Sequence, residues 1–167
     1  KTFDTKVGST ATPNCLTSPS LVDKDGDYYI DYVYSGDLQG NMWKFDLTGS
    51  DSAWKIAYGN TSSPDPLYQA KSSDGTVQAI TTRPQVTIHP TGTGYLVLFG
   101  TGKYLETSTD VNTTTAKTQT FYGIWDNNAQ VTSVTTRIST NLLQQAVDAE
   151  TSSYRHVPNR PIDWTAN

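Results

Sequence analysis

The chain has 167 residues, 17% charged and 35% hydrophobic, with a net charge of −4 and a pI near 4.9. That length suffices for one domain with a core, the acidic balance argues against a nucleic-acid partner, and no run of about 18 apolar residues is present to span a membrane as a helix. Polarity comes instead from hydroxyls, 27 Thr and 15 Ser, beside 10 Tyr and 4 Trp, a composition that suits pleated, half-buried surfaces and predicts an all-β fold of antiparallel sheets.

Residues 1–20 are rich in Thr, Ser and Pro without a period and are expected to be loop. No charged segment followed by an apolar one opens them, so no signal peptide is read there. Cys15, the single cysteine, permits no internal disulfide; it is a small buried or loop thiol, or bridges to a cysteine outside this chain. Tyr28–Tyr34 alternates, with Ile30, Tyr32 and Tyr34 on one face. Asn41–Leu47 alternates more cleanly and predicts Trp43, Phe45 and Leu47 inward, Lys44 and Asp46 outward. Between them Gly36 and Gly40 supply the freedom a tight turn needs, so the two segments form an antiparallel hairpin.

Trp54–Tyr58 is a third strand, followed by a breaker cluster over residues 60–65. Val77–Ile80 is a short strand, and Val86–Ile88, bounded by Pro84 and Pro90, suits a sheet edge. Tyr95–Phe99 is a continuous apolar run ended by Gly100, the pattern of a strand buried on both faces. A Thr-rich loop over 108–120 leads to the strand Phe121–Trp125. Leu142–Val147 fits a helical face or a strand, and Ser152–Asn167 carries no clear element. Many short strands without a βαβ rhythm mean a sandwich, barrel or propeller. A weak repeat, glycines before an aromatic in Gly36–Trp43 and again in Gly100–Leu105, favours the propeller.

The most informative segment is Asp23-Lys24-Asp25-Gly26-Asp27-Tyr28-Tyr29-Ile30-Asp31, with carboxylates at positions 1, 3, 5 and 9. Two unit charges at 4 Å repel by about 1 kcal/mol even in bulk water. A hard divalent cation removes that cost, and ligands on alternate residues of a tight loop point at one centre. Asp23, Asp25, Asp27 and Asp31 are the candidate side-chain ligands for Ca²⁺. Tyr29 at position 7 would offer its carbonyl, leaving its phenol free to pack. The loop is not an EF-hand, which wants Gly at position 6 and Glu at 12, where Tyr28 and Tyr34 stand. A solvated acidic turn is the competing reading. Mg²⁺ prefers fewer protein ligands, and no His or Cys joins the cluster to suit Zn²⁺.

No catalytic constellation emerges. His89 and His156 are isolated and read as structural or surface histidines, and no nucleophile elbow, zinc-protease motif or phosphate loop is present. Gly100-Thr101-Gly102-Lys103 lacks the spacing of a phosphate loop and reads as a turn between strands.

Leu21 to Asp31, followed by Asp31-Tyr32-Val33-Tyr34-Ser35-Gly36-Asp37-Leu38-Gln39-Gly40-Asn41-Met42-Trp43-Lys44-Phe45-Asp46-Leu47, closely resembles the C-terminal β-propeller of the PilC/PilY family of type IV pilus tip-associated proteins. Ile80-Thr81-Thr82-Arg83-Pro84, Phe99 to Glu106 and Phe121-Tyr122-Gly123-Ile124-Trp125-Asp126 continue the likeness in order. It covers roughly residues 20–165 and implies a partial propeller of two to three blades, with residues 1–20 as loop, 21–60 as the calcium-loop hairpin region and 61–167 as further blade strands. It also implies strand for Leu142–Val147. The implied function is that of a calcium-binding propeller segment acting in pilus biogenesis, twitching motility and adhesion, with no enzyme activity. The implied place is the pilus tip or outer-membrane surface of a Gram-negative bacterium. The implied partners are type IV pilus components such as minor pilins, a host or surface receptor, and missing blades or another chain at the open sheet edge. Two alternatives remain: a quinoprotein-like propeller enzyme, which would need a cofactor pocket, and a purely structural calcium-stabilised propeller, which would show several acidic loops rather than one.

Overall fold

The computed structural model describes residues 1–105, 117–128, 143–145, 149–157 and 160–163. Among them every regular element is a strand. Strand β1 (Ser20–Val22), β2 (Tyr32–Gly36) and β3 (Asn41–Asp46) form an antiparallel meander. Four two-residue strands follow: β4 (Lys55–Ile56), β5 (Tyr58–Gly59), β6 (Pro64–Asp65) and β7 (Tyr68–Gln69). Strand β4 pairs with Phe45 and Asp46, and β7 pairs with Asn41 and Met42 further along the same edge. The two are fragments of one fourth strand, with β5 and β6 paired to each other as an inserted hairpin. The Ala57 N–H donates to the Lys44 carbonyl at 2.9 Å and the Leu67 N–H to the Met42 carbonyl at 2.8 Å, which keeps both fragments seated beside the insertion.

The second sheet is a meander of β8 (Gln85–Ile88), β9 (Tyr95–Gly100) and β10 (Phe121–Asp126), with β8 at one edge as expected. Strands β11 (Ala149–Glu150) and β12 (Arg155–His156) make a separate small hairpin. The two larger sheets face each other like adjacent blades. Tyr32, Tyr34, Met42 and Tyr68 from the first pack against Val97, Phe99, Tyr122 and Ile124 from the second. This is the expected all-β, antiparallel, partial-propeller architecture.

The close fit shows at Gly40, which closes the β2–β3 turn at φ +74°; a Cβ there would stand 2.8 Å from the Gln78 carbonyl and 2.9 Å from that of Ala70. The face of the first sheet turned away from the second carries Trp43 and Phe45. The N-terminal loop crosses this face, with the Phe3 ring 5.4 Å from that of Phe45. An apolar groove of about 300 Å³ remains there, lined by Phe3, Leu16, Pro19, Val33, Phe45 and Leu47 among others.

Several expectations are corrected. Lys44 does not face solvent; it is buried, because both faces of β3 are covered. The strand expected from Tyr28 begins only at Tyr32, since the preceding residues turn in the acidic loop. Trp54–Tyr58 splits between two pairings, and part of the breaker cluster becomes β6. Val77–Ile80 makes only isolated bridges, Val77 to Lys71 and Ile80 to Gly102. In β9 Val97 and Phe99 are buried while their neighbours are half-exposed. The C-terminal stretch holds β12. Within Leu142–Val147, Leu143–Gln145 is irregular, and the other residues of that expected strand lie outside the described ones, as does 108–116 of the Thr-rich loop. Cys15 is exposed as a free thiol.

Candidate metal centre

The acidic loop is the connection between β1 and β2. Val22 pairs with Tyr32. The Asp31 N–H donates to the Val22 carbonyl at 2.9 Å, and the Asp31 carbonyl accepts the Leu47 N–H at 2.7 Å. Both ends of the loop are thus fixed in the first sheet. Between them the chain turns through positive φ at Gly26 (81°) and at Tyr28 (71°). The first costs nothing for glycine, whereas a bulky residue in this region is strained and must be held there. The carboxylates hold it: Asp23 accepts the N–H groups of Gly26 (2.7 Å) and Tyr28 (2.9 Å), Asp25 that of Asp27 (3.3 Å), and Asp27 that of Tyr29 (2.8 Å).

The result brings Asp23, Asp25 and Asp27 together, one carboxylate oxygen of each within 4.8 Å of the others, all three side chains exposed. Asp31 stands at the closing end, where its Oδ2 accepts the Lys24 N–H at 2.7 Å, and it is not part of that triplet. Tyr29 does not pack; its side chain is 78% exposed and that of Tyr28 is 95% exposed. The chemistry of the donor set fits a hard cation, since it consists of oxygens alone, carries several negative charges, and lies on a loop able to adjust its bite. At the base of the loop Tyr32, the first residue of β2, meets the second sheet: Tyr95 of β9 packs edge-on to it at 5.9 Å. Burial raises the Tyr95 phenol, and the charges of Asp31, Asp126 and Asp23 raise it further.

A second polar group escapes a reading from sequence. Lys44 and Asp126 form an ion pair at 2.7 Å between the two sheets, 3% and 0% exposed. The hydroxyls of Tyr34 (2.6 Å) and Tyr58 donate to Asp126, and Lys44 donates to Asn128 Oδ1 at 2.6 Å. The Lys44 ammonium also lies 4.1 Å from the centre of the Tyr32 ring. Burial by itself would raise the Asp126 carboxyl. The Lys44 charge and the hydrogen bonds from Lys44, Tyr34 and Tyr58 outweigh it and hold the group below the ordinary carboxylate range. Burial, then the Asp126 charge, push the Tyr34 phenol far up. Asp37, in the β2–β3 turn, is likewise buried. It accepts N–H groups from Gln39 and Asn41 and side-chain donors from Asn14, Asn41 and Trp43. The one available sign of Asp126 was its place at the end of an apolar strand. His89, expected to be structural, is buried and stacked on Trp125 with ring centroids 4.2 Å apart.

Residues 4–160 match the PilY1 beta-propeller domain family. The type IV pilus biogenesis factor PilY1 of Pseudomonas aeruginosa strain PAO1 is 37% identical, the match covering 96% of this chain and 16% of that protein. A PilY1 homolog of Xylella fastidiosa is 34% identical over 90% of this chain and 10% of its own length. The crystal structure of the P. aeruginosa PilY1 C-terminal domain superposes with a TM-score of 0.70 at 38% identity, covering 86% of this chain and 32% of that one. The chain therefore spans a sixth or less of the curated relatives it matches.

Proposed function

Because the chain belongs to the PilY1 β-propeller domain family, we propose that it is a calcium-binding propeller segment of a bacterial type IV pilus biogenesis protein, working at the cell surface or pilus tip in pilus assembly, twitching motility and adhesion. The observation that carries the calcium reading is the convergence of Asp23, Asp25 and Asp27 on one exposed loop whose two ends are fixed in the first sheet. In this reading Asp31 closes the site through Oδ1, its Oδ2 being taken by the Lys24 amide, and the Tyr29 carbonyl completes the set. The bound ion supplies charge neutralisation, and the chain's own residues supply the bite. No catalytic step is assigned, in keeping with relatives named as biogenesis factors rather than enzymes. Pilus components such as minor pilins, a surface receptor, and further blades at the sheet edges are the partners this role calls for.

Isothermal calorimetry with CaCl₂ on the purified chain tests the reading. Heat of binding and a rise in melting temperature are expected, the latter reflecting about 2.7 kcal/mol at a hundred times the Kd. Asp31→Ala is expected to weaken binding at least roughly tenfold, since a charged ligand is lost from the shell. Absence of both heat and thermal shift would refute the reading.

A further inference from the structure

We infer that cation occupancy of the acidic loop fastens strand β1, and through Ser20 the inner seam between the two sheets. The inference rests on the calcium reading above and names what that site regulates.

Strand β1 has three residues. Among the described residues its ladder partner is β2 alone. A strand so short is marginal unless its ends are held. Its N-terminal approach is held, since the Thr17 N–H donates to the Gly36 carbonyl at 2.9 Å and Leu16 bridges to Asp37. Its other end runs straight into Asp23. The last ladder pair, Val22 with Tyr32, is closed by the Asp31 N–H on the Val22 carbonyl at 2.9 Å and adjoins the crowded carboxylates, whose repulsion, weak and screened in water, acts against that closure. A divalent ion drawing 23, 25 and 27 towards Asp31 would close the same end.

What β1 carries is the seam. Ser20 is 6% exposed and turned to the second sheet. Its hydroxyl donates to the Pro84 carbonyl and accepts from Arg83 Nε at 3.2 Å, immediately ahead of β8. Ser20 lies two residues from Val22, so a fraying hairpin end reaches it once the Val22 and Leu21 pairs have opened. The rest of the interface is held independently by the Lys44–Asp126 pair and the aromatic core. Loss of the ion thus makes local opening of β1 and the β8 edge more frequent, as one unit, while the sheets stay together.

Hydrogen exchange read by mass spectrometry, with and without CaCl₂ and beside calorimetry on the same sample, tests this. At a free Ca²⁺ of about a hundred times the Kd, exchange limited by local opening is expected to slow by up to a hundredfold in residues 20–22 and 85–88, with the β9–β10 ladder unchanged. In Ser20→Ala, a substitution small enough to keep the fold, the slowing should persist in 20–22 and vanish in 85–88. Binding heat with protection confined to 23–31 overturns the inference and leaves the calcium site standing. So does a β8 response that survives in Ser20→Ala. No binding heat overturns the calcium reading, and the inference with it.

Discussion

At the loop end of β2, three aspartates stand in water with their oxygens close together and backbone N–H groups as their hydrogen-bond donors. Between the sheets, Asp126 is sealed from solvent and met by an ammonium and two phenols. Asp37 is sealed as well, and met by five donors. The buried carboxylates are satisfied by the protein itself, as burial demands. The exposed ones are positioned by the protein but not neutralised by it. A charge that the fold completes is structural; the cluster of charge that the fold gathers and leaves open is the one on which the calcium proposal rests.

The contrast can be broken most forcefully at the buried end. Asp126→Leu takes the carboxylate away from the buried Lys44 ammonium and is expected to cost about 3–5 kcal/mol in denaturant unfolding. Adding Lys44→Met should restore part of that loss, though Tyr34 and Tyr58 still lose an acceptor. A double variant no better than the single one would show that the ion pair is not what holds this part of the interface.

Gly40→Ala comes next. The left-handed φ and the carbonyls of Gln78 and Ala70 at under 3 Å leave no room for a methyl group. A loss of about 1–3 kcal/mol is expected, from backbone strain and displaced packing together. Because this turn lies at the far end of β2 and β3 from the acidic loop, calcium affinity should stay unchanged, which separates fold from site.

The acidic loop was legible because its signal is local: alternate carboxylates around Gly26 need no knowledge of the rest of the chain. The hairpin about Gly36 and Gly40 was legible for the same reason. Lys44 was not, because alternation tells one face of a strand from the other but cannot say that both are covered. Only half of the fourth strand was legible: the strand expected over Trp54–Tyr58 contains its fragment 55–56, while the fragment 68–69 is too short to show a period. Tyr29 looked like a packing residue from its type alone, yet the turn at Tyr28 carries it outward. The pairing of Lys44 with Asp126, 82 positions apart, leaves no trace in either local window.

The pH dependence sharpens the comparison with smaller effects. The Asp126 carboxyl is depressed in the fold, so its contribution is complete above the unfolded value near 3.8 and is lost as pH falls below that towards the lower folded value. His89 is also depressed, by burial, so the folded state resists its protonation. Stability should therefore begin to fall as pH drops below about 6.5, the ordinary histidine value, well before Asp126 responds. Thermal melts of the wild type and of His89→Gln between pH 7.5 and pH 5 check this: the slope in that window should be shallower in the variant. An equal slope would place the loss elsewhere.

The smallest effect on stability, and the most discriminating, is expected at the loop. Asp25→Asn keeps the side-chain oxygen that accepts the Asp27 N–H and removes one of the gathered charges. Without calcium it should leave the melting temperature unchanged or raise it by roughly a degree or two, because like-charge repulsion at an exposed site is weak and screened. With calcium it should lose affinity, since ligand charge sets the strength of such sites. The difference from wild type should therefore be nil or slightly positive in chelator and negative in calcium. A loss in chelator would mean that Asp25 serves the fold as Asp126 does, and the line between structural and open carboxylates would have to be redrawn through the loop itself.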